Sequence, residues 1–457
     1  MKLLISIIVI WCCVKCVFTS QCYWNNACKY KYFSSKTPYE IIRGDIRDSI
    51  AKLRDFGNKQ CEPISIWVTV RHGKRNPSTK FAEDIKAFLT YRNDIIASYK
   101  MGNSTLCAQD IENIKNWEVD TDMFVRHNEI DAEGYQELVN IAQRFKEAFP
   151  ELLNEIQNKD YEILTAYGSR MTDSAKAFNE GLTTYNLTIS EAENNYSVLA
   201  PYASCGRYQI DVRRNPNIYA EEVVYTGTAE YQNMKERLIR KLGLDVDLTS
   251  NNITAIYDLC RYSWEGINNK PSPWCALFTE EDLQVLEYIG DIRHYYRNGY
   301  GASKYTKILG QIPLSDMLTK FEEAKRGRGA KGPQGQGPRG AALVTYVTHA
   351  TMLDMILVAL NLHNDTHPLM GTHRDIYRKW RSTFLSPFAN NLIGVLYRCS
   401  SYGSIDYDYN VALYWNELPL LELCKEGVCS WWEFQKLFKP FLNTNVDVCE
   451  FKWTSVD

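Results

Sequence analysis

This 457-residue chain has no excess of charge of either sign: 52 Lys and Arg face 55 Asp and Glu, a formal net charge of −3. The global basic footprint of a protein that binds nucleic acid or an anionic membrane is therefore missing, and no nucleic-acid partner is expected. A strongly anionic ligand would need a local basic pocket. Long apolar runs are scarce as well. Residues 3–14 form one, behind the positive Lys2, but it is short for a membrane span, and nothing later is long and apolar enough. These features predict a signal peptide over residues 1–20 and no span after its removal. Closely spaced Cys or His pairs of the kind that hold zinc are also absent, so no metal site is expected.

Cysteine itself is plentiful. Three of the 14, Cys12, Cys13 and Cys16, lie in the expected signal, and the remaining 11 fit an oxidising compartment. The close pairs are Cys22/Cys28, Cys260/Cys275 and Cys424/Cys429, and spacing leaves the connectivity open. Sequons at Asn103, Asn186, Asn195, Asn252 and Asn364 agree with a secreted glycoprotein, with the endoplasmic-reticulum lumen as the alternative. Length suggests two or three structural units, and the 45% apolar content is enough for a large core.

Apolar β-branched runs at 64–70, 161–166 and 342–347 read as buried strands, with further strands at 393–397 and 410–414. Helical periodicity marks 80–99 and 133–153 and dominates 216–300. Strands alternating with helices indicate an α/β core. Residues 325–340, rich in glycine and carrying five basic side chains, read as a flexible loop.

The chemistry sits at strand ends. The first strand runs directly into Arg71-His72-Gly73-Lys74-Arg75-Asn76-Pro77. Five fixed residues of the form Arg-His-Gly-x-Arg-x-Pro arise by chance in about one chain of this size in several thousand. The second strand leads to Arg170, and the third to Thr348-His349-Ala350-Thr351. Two histidines and three arginines at the carboxyl ends of apolar strands are the set that phosphoryl transfer needs. One imidazole attacks phosphorus while guanidinium forks neutralise the equatorial oxygens, so neither a metal nor a cofactor is called for.

At this point the chain resembles the histidine acid phosphatases, and among them the multiple inositol polyphosphate phosphatases. The likeness rests on residues 71–77, on Arg170 with Ser174-Ala175 and Gly181-Leu182, and on Pro273-Trp274-Cys275-Ala276-Leu277-Phe278 with Gly299-Tyr300-Gly301. It implies an α/β sandwich domain with an inserted, mostly helical cap: a core of 21–80, 160–200 and 300–457, and a cap of 81–159 and 201–299. It also implies His72 as nucleophile, and Arg71, Arg75, Arg170 and His349 as the phosphate pocket. The implied substrate is a phosphate ester of the inositol polyphosphate class. Lys74 and Thr351 are the candidate substrate-binding residues, Lys74 reaching either a second phosphate or solvent.

One departure bears on mechanism. In the resembled branch the second histidine is followed by Ala-Glu, whose carboxyl protonates the leaving oxygen. Here Thr351 stands in that place, with Asp354 one helical turn beyond. Three outcomes follow: a substitute acid, substrates with better leaving groups as in a broad acid phosphatase, or anion binding without turnover. The chain also ends Thr454-Ser455-Val456-Asp457, unlike a retrieval tetrapeptide.

Overall fold

The computed structural model describes residues 31–49, 59–192, 198–264, 271–329, 340–401 and 406–454. The expected signal peptide, Cys22/Cys28, the sequon at Asn195, most of the glycine-rich segment and the last three residues lie outside that set. The chain forms two compact units. The larger comprises Tyr32–Asn76, Asn128–Thr228 and Gln284–Asp457; the smaller, among described residues, Pro77–His127 and Ala229–Leu283 with Lys31.

The larger unit is built on one mixed sheet. Its strands are β1 (Lys59–Arg71), β2 (Tyr161–Thr165), β3 (Ser190–Glu191), β4 (Leu343–Thr348), β5 (Asn391–Ser401), β6 (Tyr407–Trp415), β7 (Leu418–Pro419) and β8 (Val428–Ser430). They lie in the order β3-β2-β4-β1-β5-β6-β7, with β8 on β6. The β3-β2-β4-β1 half is parallel, and β5 and β6 continue it antiparallel. From Ile64 to Arg71 every residue of β1 is buried, which is why this strand reads as a continuous apolar run. The register with β5 slips between Pro63 and Ser65, where the proline has no N–H to give the ladder. Cys61 and Cys399 face each other across β1 and β5 and are joined by a disulfide.

Helices cover this sheet. In chain order they are α1 (Ala132–Ala148), α2 (Ser169–Leu182), α3 (Glu280–Asn298, mostly in this unit), α4 (Ser303–Gly329), α5 (Ala350–Ala359) and α6 (Trp431–Phe438). α1 packs on α2, and α4 on α5. Parallel strands β2, β4 and β1 all deliver their carboxyl ends to one edge, so the helices that follow β2 and β4 begin there.

Two expectations need correction. The segment at 325–340 does not begin as a loop, because α4 continues to Gly329. Its basic start is held in place: the Lys325 ammonium lies 3.9 Å over the Trp431 ring, and Arg326 Nε donates to the Glu322 carbonyl. The division into units also differs from that expected, since 128–159, 201–228 and 284–299 pack with the strands. The causes are side-chain ties within that unit: α1 on α2, Cys205 disulfide-bonded to Cys449, and Arg378 paired with Glu287 and Asp291 of α3.

The smaller unit is helical throughout its described residues. Its core centres on the fully buried Trp274, against which Phe88 and Trp117 pack edge-on at 5.9 and 5.6 Å. The Cys260–Cys275 disulfide closes beside it. The helix Ser250–Tyr262 starts at a reciprocal cap between Thr249 and Asn252.

Candidate active site

β1 ends at Arg71, and the next residues are clamped by backbone. A Cβ on Gly73 would meet the Gly134 carbonyl oxygen at 2.1 Å, and one on Gly134 would meet the Lys74 oxygen at 2.0 Å. Only two glycines allow the loop to sit this close to the start of α1. Gly73 N–H donates to Ser174 Oγ at 3.2 Å and Lys74 N–H to Glu137 Oε2 at 2.9 Å. Glu137 also accepts from Tyr39 N–H, and burial pushes its carboxyl up to about 7.

His72 sits in this clamp, 3% exposed. Its Nδ1 lies 2.8 Å from the Gly73 carbonyl oxygen. A carbonyl only accepts, so Nδ1 carries the proton and Nε2 keeps its lone pair. Burial first, then the charges of Arg71, Arg170 and Arg75 and the His349 ring, hold His72 well below the ordinary imidazole value. An unprotonated Nε2 is the result.

The arginines are fixed differently. Arg71 is buried, its Nη1 donating to the carbonyls of Ser35 at 2.5 Å and Ser386 at 2.7 Å, with the guanidinium 4.5 Å from the Phe388 ring centre. Arg75 Nη1 donates to the Asn76 carbonyl at 2.7 Å. Arg170, in the first turn of α2, places Nη2 3.0 Å from His349 Nε2, and its buried Nε has no partner among the described residues. Burial and the neighbouring Arg75 pull Arg170 down to about 10. Neither Arg75 nor Arg170 has a carboxylate ion pair among the described residues, which leaves both charges for an incoming anion.

His349 caps α5 without a side-chain cap bond. Because a guanidinium can only donate, Nε2 accepts from Arg170 and Nδ1 bears the proton, which it gives to Tyr202 Oη at 3.1 Å. Burial, then Arg170, Arg71, Arg213 and Arg75, keep it well below the usual histidine range. The His72 and His349 rings stand edge-on, 6.0 Å between centres. All five residues expected at the pocket thus gather at the ends of β1, β2 and β4.

Lys74 is neither in solvent nor unpaired. It is 4% exposed, and its Nζ lies 2.7 Å from Asp131 Oδ2. Burial works against its charge, but Asp131, Glu133 and Glu137 outweigh this and hold it above the ordinary lysine value. Asp131 also caps α1 by accepting from Gly134 N–H. Thr351 occupies the first turn of α5 with no hydrogen bond from its hydroxyl among the described residues. Asp354, expected as a nearby substitute acid, is fully buried and already bonded: Oδ2 accepts from His294 Nδ1 at 2.7 Å and Asn298 Nδ2 at 3.1 Å, and Oδ1 from the Ser386 hydroxyl. It is a structural carboxylate joining α5 to α3.

Residues missed in the sequence include Tyr202, Arg213 and Arg297. Arg297 ends α3 beside Asn298, its Nε buried without a partner among the described residues. The charges of both arginines reach Tyr202, and that of Arg213 reaches His349. No local pattern marks them, because they come from segments read as part of a helical insertion.

A lone-pair histidine beside the guanidinium groups of Arg71, Arg75 and Arg170, at the carboxyl ends of three adjacent parallel strands, is the arrangement of a histidine phosphatase site. A family model for the histidine phosphatase superfamily (branch 2) matches residues 65–413, and the chain belongs to that family. Within it the chain is similar to multiple inositol polyphosphate phosphatase 1 of Drosophila melanogaster, 26% identical over 429 residues, covering 91% of this chain and 86% of that protein. The protein of that name from Homo sapiens is 24% identical over 435 residues, covering 90% and 87%. Among solved structures, the phytase from D. castellii superposes with a TM-score of 0.66 at 15% identity, covering 93% of this chain and 88% of that one. The Bifidobacterium longum multiple inositol polyphosphate phosphatase in complex with inositol hexasulfate gives 0.61 at 14%, covering 85% and 92%. These two likenesses establish the common fold.

Proposed function

We propose that this protein hydrolyses phosphomonoesters of inositol polyphosphates through a phosphohistidine on His72. The observation that carries the reading is the state of His72, whose Nδ1 is committed to the Gly73 carbonyl and whose Nε2 lone pair stands among arginines. Nε2 attacks phosphorus, forming the P–N bond as the ester P–O bond breaks. Arg71, Arg75 and Arg170 neutralise the non-bridging oxygens. Water then attacks phosphorus and releases His72.

Charge supports a polyphosphorylated substrate. Arg75, Arg170, Arg213 and Arg297 have no carboxylate ion pair among the described residues. One phosphate dianion offsets two such charges, and further phosphates on the same ring offset the rest. In this reading Lys74 is a structural residue and Thr351 stands where relatives carry the acid. The test is phosphate release from inositol hexakisphosphate with trapping of the phosphoenzyme. His72→Ala is expected to lower turnover by at least about 10⁴-fold and abolish trapping. No release and no trapped phosphate with the unaltered protein would sink the proposal.

Thr351 favours one second reading, a secreted anion-binding protein that does not turn its ligand over. It predicts tight binding of inositol hexakisphosphate with no product, and fails on any His72-dependent hydrolysis at an ordinary enzymatic rate. For location we propose the secretory route. Among the described residues nine cysteines are disulfide-bonded, and the sequon residues Asn103 and Asn186 are exposed. Among the described residues no helix is long and apolar enough to cross a membrane. The expected result is protein in the culture medium whose mass falls on N-glycosidase treatment.

A further inference from the structure

We infer that His349, held by Tyr202, is the proton donor to the leaving oxygen in this chain, with Tyr202 as its positioning residue. The inference rests on the phosphatase reading above. It begins from a deficit: an alkoxide of an inositol ring leaves poorly without a proton, Thr351 offers no acidity near neutral pH, and Asp354 is buried in its own network. His349 stands across from the His72 ring, 6.0 Å between centres, with its Nε2 on Arg170.

Its two nitrogens have separate tasks. Nδ1–H is anchored on Tyr202, which is 6% exposed and fixed by Gln209 Nε2 donating to its carbonyl at 2.8 Å. Nε2 is engaged by Arg170 at 3.0 Å, so a phosphate bound by that guanidinium comes beside it. The charged groups that act most strongly on His349 are cationic: Arg170 from α2, Arg71 at the end of β1, Arg75 from the loop after it, and Arg213; the His72 ring stands opposite. In the empty site these keep His349 neutral. A phosphate dianion on the same arginines reverses the local field and draws Arg170 onto its oxygens. His349 Nε2, released from Arg170, then takes up a proton from solvent. Tyr202 can accept Nδ1–H equally well in the imidazolium.

The steps balance. As the His72 Nε2–P bond forms and the ester P–O bond breaks, the Nε2 proton of His349 passes to the departing alkoxide, leaving a neutral ring. In the second half the same lone pair takes a proton from water as its oxygen bonds to phosphorus and the P–N bond breaks. The products are the alcohol and inorganic phosphate; His349 is again protonated while phosphate is bound and gives that proton back to solvent as phosphate leaves.

Leaving-group dependence tests this. An aryl phosphate needs no proton to leave, so His349→Asn is expected to lose about 10²–10⁴-fold more turnover on inositol hexakisphosphate than on p-nitrophenyl phosphate. Equal losses would make His349 a phosphate ligand only and overturn the inference while leaving the phosphatase reading intact. No turnover of either ester by the unaltered protein would overturn both. Tyr202→Phe is expected to move the alkaline limb of the inositol kcat profile to lower pH and leave the aryl profile in place; an unmoved limb counts against the positioning role. A direct readout uses inositol hexasulfate, which cannot itself titrate in this range. Calorimetry of its binding to His72→Ala in two buffers of different protonation enthalpy should show uptake of about one proton near neutral pH. The same measurement with His349→Asn added should show none, and unchanged uptake there would overturn the assignment.

Discussion

The loop after β1 and the turn after β4 each present a histidine to the same pocket, and they hold it by different means. His72 is fixed by backbone: its own ring on the Gly73 carbonyl, Gly73 against Gly134, and Lys74 N–H on Glu137. His349 is fixed by two side chains, Tyr202 and Arg170. A ring tied to a carbonyl has one tautomer and one task, which suits a nucleophile. A ring tied to a hydroxyl and a guanidinium can change partners when an anion arrives, which suits a group that gains and loses a proton.

That contrast can be broken at several points, and the largest effect after that of His72→Ala lies beneath the backbone-held side. Lys74→Met leaves the mostly buried Asp131 carboxylate without its partner, and unfolding stability should fall by about 3–5 kcal/mol. The KM for inositol hexakisphosphate should stay the same in denaturant-free assays. A raised KM with little loss of stability would instead make Lys74 a substrate ligand. On the other side, Thr351→Glu supplies a carboxyl where the protein has a hydroxyl. It should raise turnover of the inositol ester by roughly 10- to 100-fold and of p-nitrophenyl phosphate hardly at all. Equal effects on both esters would show that position 351 is not a proton donor's place.

Arg297→Ala probes the outer charges. It should raise KM for inositol hexakisphosphate about 10-fold, the loss of one charge-assisted contact, and leave p-nitrophenyl phosphate unaffected. The smallest effect is at Glu137, whose folded pKa of about 7 lies above the value of a free glutamate. The folded state therefore binds more protons than the unfolded chain between about pH 4.5 and 7, and this residue adds stability as pH falls through that window. In Glu137→Gln that contribution is lost, so the difference in melting temperature between the two proteins should change with pH only there. A constant difference across the window would mean that Glu137 does not titrate in it.

Much of the site was legible in sequence because its parts sit next to strands. The runs at 64–70 and 342–347 are buried and largely apolar, the run at 161–166 is partly buried, and Arg71, His72, Arg170 and His349 lie a few residues at most beyond them. The extent of α4 was not legible. Its basic, glycine-bearing end is stabilised by Trp431 and Glu322, which are distant in sequence or hidden in a helical turn. Lys74 and Asp354 were misjudged for the same reason. Each belongs to an ion pair or hydrogen-bond network whose other members come from different elements, Asp131 in one case and His294, Asn298 and Ser386 in the other.

The sequence by itself determined the loop at 71–77, the two histidines, the three arginines beside them and the threonine two residues after His349. Those features are local, since a strand end and the residues after it are contiguous in the chain. Only the tertiary structure decided how the charges and protons are arranged. Tautomers follow from which carbonyl, hydroxyl or guanidinium lies against each ring nitrogen; Gly73 is the chain neighbour of His72, whereas Tyr202 and Arg170 reach His349 only in the folded chain. The same packing removes Asp354 and Lys74 from solvent and leaves Nε of Arg170 and of Arg297 buried without a hydrogen-bond partner among the described residues. Charge and hydrogen bonding act over a few ångströms of space, so chain separation carries little information about them.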